Sequence, residues 1–234
     1  MLEKVKLYYK LTKPGIVRGN LIAVSAGFWI GSNDSINWGL YIMTLFASAL
    51  VIGSGCVLNN FIDRDIDKKM TRTKNRALAS HKISAINSLA YGLTLGIVGF
   101  SILAFYTNML SVYAGLFGYI FYVYIYGYVK RRSEHGTLVG SLAGAVPPLV
   151  GYLASRGQFD KGAVIVFLIL AFWQMPHFYA ITIFRLKEYK LAGLPVLSVT
   201  RGINTTKKYI LVYMIASFFV TLLPVFYLNA GIIY

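Results

Sequence analysis

Three acidic side chains fall within five positions of a chain that has only eight Asp and Glu among its 234 residues. Asn59, Asp63 and Asp67 are each four positions apart, so on an α-helix they share one face, and each step advances about 6 Å. Asp65 is rotated by about 200° from Asp63 and should face elsewhere. Mg²⁺ binds proteins through a few carboxylates and completes its shell with waters and phosphate oxygens. The spacing therefore predicts a magnesium site made by Asn59, Asp63 and Asp67.

Cations follow this acidic group directly. Arg72, Lys74 and Arg76 are placed to neutralise the remaining charge of a diphosphate held by the metal. The alternative is a solvated helix end at which acids and bases only pair with each other, and such exposed pairs contribute about 0–1 kcal/mol. The Asn–Asp–Asp register beside an apolar helix favours the metal site.

A second polar group begins in the segment 172–193, "FWQMPHFYAITIFRLKEYKLAG", in which Pro176 should bend a membrane helix. His177 and Tyr179 lie near membrane depth, where an ionisable side chain is a functional candidate. His177 has three candidate roles: haem ligand, proton-transfer group or substrate contact. The alternative is a histidine that is hydrogen-bonded within the structure and has no direct role.

Further charged candidates lie near the ends of the predicted membrane helices. Arg185, Lys187 and Glu188 follow the second polar group, and Glu188 either supplies a second-metal carboxylate or pairs with a neighbouring lysine. Arg18 either contacts a phosphate or a propionate, or anchors its helix by reaching to the membrane interface.

The helices that position these residues are transmembrane helices. The chain is 57% hydrophobic and 13% charged, against about 25% charged in an average soluble domain. Several apolar runs approach or exceed the roughly 20 residues that span a hydrocarbon core. The single cysteine, Cys56, excludes a disulfide framework and a cysteine-based metal site. The predicted fold is an all-α polytopic bundle of about seven spans, near 16–33, 39–60, 83–106, 111–129, 138–154, 162–184 and 209–230.

Two local patterns refine this bundle. Gly136, Gly140 and Gly144 share a helix face, which favours close helix packing over room for a bulky ligand. Pro147 and Pro148 should kink or break the same helix, which membrane depth tolerates only inside the protein or beside a cavity.

The net charge of +15 reflects topology and does not indicate nucleic-acid binding. Of the 23 Lys and Arg, all but Arg156 and Lys161 lie at the N-terminus or in the connections that share its side of the membrane. The positive-inside rule therefore places the N-terminus and the Asp-rich loop in the cytoplasm.

At this point the sequence resembles the UbiA-type intramembrane prenyltransferases and, within them, the protoheme IX farnesyltransferases. The resemblance covers essentially all 234 residues in order. It is carried by the following stretches: "TKPGIVRGN", "SGCVLNNFIDRDIDKKMTRTKNRAL", "GSLAGAVPPLVGY" and "WQMPHFYAITIFRLKEYKLAGLPVLSV".

The resemblance implies Mg²⁺-dependent transfer of a farnesyl group from farnesyl diphosphate to a vinyl group of haem b, with addition of water, which gives haem o. It implies one integral-membrane domain over 1–234 in a bacterial cytoplasmic membrane, without the last two of the nine helices typical of the family. A terminal oxidase or a haem a synthase would be the partner that uses the product. The resemblance implies that Mg²⁺ and diphosphate bind to one group of residues: Asn59, Asp63, Asp67, Arg72, Lys74 and Arg76. It places His177, Arg185 and Glu188 in a second polar motif. There the wider family has paired aspartates and this chain has His and Glu.

The resemblance also implies haem contacts, for which His177, Tyr179 and Arg18 are the candidates, and diphosphate contacts by Arg185 and Lys187. Two other functions remain open. One is prenylation of an aromatic quinone precursor by the same chemistry. The other is a transporter or a non-catalytic haem-binding membrane subunit, for which paired axial histidines within the bilayer are expected. Only His177 lies near a span.

Overall fold

The computed structural model describes residues 2–32 and 35–227. These residues form helices and contain no β-strand; most connections are short, but 17 residues, 68–84, join α3 to α4. The helices are α1 Leu2–Leu11, α2 Pro14–Gly31, α3 Trp38–Asp67, α4 Ala85–Tyr106, α5 Met109–Ile120, α6 Gly127–Val129, α7 Gly136–Gly144, α8 Val146–Arg156, α9 Lys161–Phe184, α10 Leu186–Ala192, α11 Leu197–Thr200, α12 Gly202–Thr221 and α13 Leu223–Tyr227. A π-helical segment, Phe121–Tyr126, joins α5 to α6. The all-α prediction is confirmed.

Six helical stretches within the described residues are long and apolar enough to cross a membrane. They are Trp38–Asp67, Ala85–Tyr106, Met109–Val129, Gly136–Arg156, Lys161–Phe184 and Gly202–Tyr227. Each coincides with a predicted span. The seventh, near 16–33, forms α2 but is not among the six, because Arg18 and Asn20 make its 18 residues more polar. The structure therefore confirms six of the predicted spans, and a membrane-spanning α2 stays a prediction.

Local sequence fixes several helix ends. The side chains of Asn37, Ser84 and Asp160 each accept a hydrogen bond from the backbone N–H three residues later, which caps the starts of α3, α4 and α9. Gly157 ends α8 in the left-handed conformation, with φ of 70°. These caps satisfy backbone groups that a membrane would leave without partners.

The double proline breaks its helix as predicted. α7 ends at Gly144, and α8 starts at Val146 with Pro147 and Pro148 in its first turn, where a missing N–H is tolerated. By contrast, α9 continues through Pro176.

Small residues allow α2 and α8 to touch through their backbones. A Cβ at Gly27 would overlap the carbonyl of Pro148, and a Cβ at Gly151 would overlap that of Val24. α3 and α4 are joined by the Ser54 hydroxyl, which donates to the Gly92 carbonyl at 2.6 Å. These contacts hold α2, α3, α4 and α8 together around one side of a large cavity.

Candidate active site

The face of α3 that carries the predicted magnesium ligands lines this cavity. Asn59, Asp63 and Asp67 are 4%, 8% and 5% exposed and all border it. Asp65 is outside, with a side chain 65% exposed and ion-paired to Arg64. α3 continues seven residues past the predicted end at 60, so both aspartates are helical and keep the four-residue register. We call the end of the bundle at which α3 finishes the polar end.

Each of the three oxygen-bearing side chains contacts its own cation. Lys13 Nζ donates to Asn59 Oδ1 at 3.1 Å. Arg76 Nη1 donates to both oxygens of Asp67, at 2.9 and 2.8 Å. Lys130 forms an ion pair with Asp63. Arg131 Nη2 lies 3.3 Å from the other Asp63 oxygen. Each of the two buried carboxylates is therefore paired with at least one cation.

Lys13 and Lys130 were not predicted as site residues. Lys13 precedes α2 in the left-handed conformation, with φ of 51°, which is uncommon for a lysine and turns its side chain towards Asn59. Burial lowers the pKa of Lys13 to about 8. Burial also lowers the pKa of Lys130, although Asp63 opposes this shift.

Two tyrosines connect Lys130 to the rest of the cavity wall. Tyr122 and Tyr126 lie in the π-helical segment with their rings stacked, 5.9 Å apart. The Lys130 ammonium lies 4.8 Å from the centre of the Tyr126 ring. Side chains four positions apart share one helix face, and π-helical turns often occur at functional sites. Their spacing was readable in the sequence, but it falls within a run of many aromatic residues.

The donor set on α3 fits Mg²⁺. Two carboxylates and one amide oxygen are the hard ligands that Mg²⁺ takes from proteins, and the rest of its shell can come from diphosphate and water. The Asn59 Nδ2 group is buried without a hydrogen-bond partner, so an acceptor such as a phosphate oxygen would satisfy it. Within the described residues, no three His, Cys, Asp or Glu side chains cluster as a metal site.

The cavity has a volume of about 770 Å³ and continues from the polar end into the apolar interior. On α3 its lining extends to Ser48, fifteen residues before Asp63, or about 22 Å along the helix axis. Leu103, Val146 and Val150 are among its deeper apolar lining. The shape is that of a long apolar pocket with a charged mouth.

The second polar group meets the first at the polar end. Glu188 Oε1 accepts from Arg185 at 3.3 Å, and its other oxygen lies 3.9 Å from Nε of Arg72. His177 borders the cavity and stacks on Trp173, with ring centres 6.2 Å apart.

The predicted site residues divide into two sets by position. Arg72 and Arg76 border the cavity with the three α3 ligands and His177. The others lie off its lining: Arg18, Lys74, Tyr179, Arg185, Lys187 and Glu188. Tyr179 is buried against Tyr209 and Tyr213 of α12, so its ring packs the bundle.

The glycine stripe of α7 both packs and lines the cavity. A Cβ at Gly140 would lie 3.0 Å from the Tyr126 ring, and one at Gly144 would overlap the side chain of Gln174. Both glycines border the cavity. The predicted close packing is present, and the side chains packed against these two glycines, Tyr126 and Gln174, also line the cavity.

Known proteins resemble this chain in sequence. Residues 20–234 match the UbiA prenyltransferase family. Protoheme IX farnesyltransferases from Citrobacter koseri and Salmonella arizonae are 52% and 53% identical to it over 219 residues, which is 93% of this chain and 74% of each relative.

Solved structures share the fold at lower identity. A digeranylgeranylglyceryl phosphate synthase superposes with a TM-score of 0.81 at 20% identity, over 98% of this chain and 80% of that protein. A UbiA homologue from Archaeoglobus fulgidus, bound to DMAPP and Mg²⁺, gives 0.75 at 17% identity, over 91% of this chain and 75% of that protein. The chain is a membrane protein with several spans, and it belongs to the UbiA prenyltransferase family.

Proposed function

We propose that this chain transfers the farnesyl group of farnesyl diphosphate to a vinyl group of haem b, in a reaction that depends on Mg²⁺ and gives haem o. The observation that carries the proposal is the cavity itself, whose charged mouth opens into a long apolar pocket. The choice of haem as acceptor is supported by the protoheme IX farnesyltransferases that share about half of its residues.

Asn59, Asp63 and Asp67 would hold the metal. When bound, Mg²⁺ draws electron density from the diphosphate and makes it a better leaving group. The cations that now contact these three side chains would then be free to face the phosphate oxygens. Arg76, Lys130 and Lys13 thereby change partners and stabilise the charge that develops as the diphosphate departs.

The remaining predicted cations act at longer range. Arg72 borders the mouth and pairs with Glu188, which also contacts Arg185. Lys74 and Lys187 lie outside the lining and add positive potential that attracts an anionic substrate. Glu188 is proposed to hold Arg72 in place, in preference to the second-metal role.

Departure of the diphosphate leaves an allylic farnesyl cation, and the cavity walls below the mouth can protect it from water. An apolar pocket excludes bulk water, so the haem vinyl group captures the cation. Tyr122 and Tyr126 line the cavity, and an aromatic ring beside the cation would stabilise it through cation–π attraction.

The acceptor is proposed to enter beside α9. His177 and Trp173 present two parallel rings at the cavity edge, against which a flat macrocycle can lie. His177 therefore keeps its proposed contact with haem. Arg18 and Tyr179 lie off the lining, and a haem role for either would need a rearrangement of α2 or α9.

The setting follows from charge and from the reaction. The positive-inside pattern supports an orientation with the polar end in the cytoplasm, and the bacterial relatives support a bacterial cytoplasmic membrane. Both substrates partition into lipid, and a terminal oxidase or a haem a synthase would use the product. The chain is proposed to form one integral-membrane domain, and it covers 74% of the length of the relatives it matches.

The direct test offers two acceptors to the chain in membranes. Labelled farnesyl diphosphate and Mg²⁺ are supplied with haem b, with 4-hydroxybenzoate, or with both, and the products are identified by mass. We expect farnesylated haem, and none after chelation of the metal. Label found only on the aromatic acid would replace the haem assignment by the quinone-precursor alternative.

A further inference from the structure

A buried amide on α9 has no part in the chemistry described so far. Gln174 is 5% exposed and borders the cavity. Its Nε2 donates to the Ser141 carbonyl at 2.6 Å. Because a carbonyl can only accept, this bond fixes the orientation of the amide and leaves the Gln174 carbonyl oxygen on the opposite side.

The structure keeps space for that oxygen. A Cβ at Gly144 would overlap Gln174 Oε1, and the three atoms nearest to it all belong to Gln174. Gly144 is the last residue of α7, where the chain breaks before the double proline. The break and the absent side chain together make room for the amide beside the cavity.

The carbonyl oxygen accepts no hydrogen bond from any residue between 2 and 32 or 35 and 227. This oxygen is not among the fully buried side-chain atoms that lack a partner, so a cavity water can reach it and donate to it. Since Gln174 and Gly144 both border the cavity, the missing donor is expected from the cavity contents, and a water molecule is the smallest donor that fits.

Gln174 lies just below the level of the metal ligands. α3 and α9 both run towards the polar end, where Arg72 meets Glu188. Asn59 is eight residues before the end of α3, about 12 Å, and Gln174 is ten residues before the end of α9, about 15 Å. Under the proposed function, the farnesyl carbon would leave the diphosphate and join the acceptor near this depth.

We propose that Gln174 positions the water that adds to the haem vinyl group, an inference that rests on the proposed function. The farnesyl carbon bonds to the terminal vinyl carbon as its bond to diphosphate breaks, which leaves a cation on the vinyl carbon next to the porphyrin. The water donates one hydrogen bond to Gln174 Oε1, and its lone pair forms the C–O bond to that carbon.

The added water then loses one proton to the imidazole of His177, which is one turn further along α9 on the same face and borders the cavity. Nothing is oxidised or reduced: diphosphate leaves, C–C and C–O bonds form, and one proton is released. Without a positioned water, the same cation loses a proton from the adjacent carbon and gives an alkene that is lighter by one water molecule.

The ratio of hydrated to dehydrated farnesyl haem, measured by mass, tests this role. Gln174→Met keeps the volume and removes the acceptor, and we expect the ratio to fall about tenfold, the scale of one lost hydrogen bond. Gly144→Ala displaces the oxygen without deleting it and should lower the ratio in the same direction. Ser88→Ala removes a buried polar group that lies outside the cavity lining and should leave the ratio as in the wild type.

The outcomes separate this role from the proposed function. Wild-type chain that makes no farnesylated haem overturns the proposed function and this inference with it. Farnesylated haem with an unchanged ratio in Gln174→Met overturns this inference alone. Loss of all farnesylated haem in both Gln174→Met and Gly144→Ala also overturns it, because Gln174 would then be needed for C–C bond formation.

Discussion

At the scale of single residues, the site is a set of acids whose charges are already matched. Asp63 and Asp67 are buried, and each contacts a cation supplied by another part of the chain. The four-residue spacing was sufficient to predict the acidic face. It could not predict Lys13 or Lys130, which lie 46 and 67 positions from the groups they contact. Such pairs depend on how the helices pack against each other, which the local spacing of residues in the sequence does not show.

Lys130 provides a test of the cation exchange. Lys130→Met removes the proposed charge-assisted contact to diphosphate, so KM for farnesyl diphosphate should rise about 10-fold or more. Arg131 stays 3.3 Å from Asp63, which leaves that carboxylate partnered. Arg132 stacks on Tyr128 away from the cavity lining, so Arg132→Met is the matched control and should keep KM within about twofold. KM is measured from initial rates over a range of farnesyl diphosphate concentrations. Equal KM values for the two variants would contradict the role of Lys130.

At the scale of elements, hydropathy predicted where most helices lie, and the proline pair predicted the break between α7 and α8. The π-helical turn at Phe121–Tyr126 was not predicted, because an aromatic run fits an α-helix and a π-helix equally well. The role of the glycines was predicted only in part. Their spacing indicates close packing, but it does not show that the neighbour is the Tyr126 ring at Gly140 and the Gln174 side chain at Gly144.

Gly27 tests how strictly α2 must approach α8. Gly27→Val would drive its side chain into the Pro148 carbonyl, so the melting temperature in detergent should fall, with a cost of about 3 kcal/mol or more. Gly19→Ala lies on the same helix, where a Cβ meets nothing within 4 Å. It should melt at or slightly above the wild-type temperature, since alanine favours helix by about 1 kcal/mol. Similar losses in both variants would mean that the α2–α8 contact is not the constraint.

At the scale of the whole molecule, the cavity and its lining could not be predicted from the sequence. An apolar membrane helix shows no clear difference between the face that meets lipid and the face that meets a ligand. His177 and Tyr179, two positions apart, illustrate this: one borders the cavity and the other packs against α12. The two polar groups were predicted separately, and the contact of Arg72 with Glu188 shows that they form one mouth.

A joint metal and diphosphate site predicts cooperative stabilisation. Farnesyl diphosphate with Mg²⁺ should raise the melting temperature of the purified chain by more than the sum of the two separate shifts. A ligand at 100 times its Kd stabilises by about 2.7 kcal/mol. Thermal unfolding with each ligand alone and with both measures this. If farnesyl diphosphate alone gave the full increase in melting temperature, the diphosphate would be bound by the Lys and Arg side chains without the metal, which would contradict a joint site.

The most direct measurement compares two aspartates on one helix. Asp63→Asn removes a proposed metal ligand and keeps the side-chain size, whereas Asp65→Asn changes an exposed aspartate two residues away. Both variants and the wild type are assayed in membranes with haem b, farnesyl diphosphate and Mg²⁺, and haem o is quantified by mass. We predict a loss of about 100-fold or more in Asp63→Asn, the scale of losing charge stabilisation at the leaving group, and a change of less than about threefold in Asp65→Asn. Haem o formation by Asp63→Asn at the wild-type rate would contradict the assignment of this cavity mouth as the site where the diphosphate leaves.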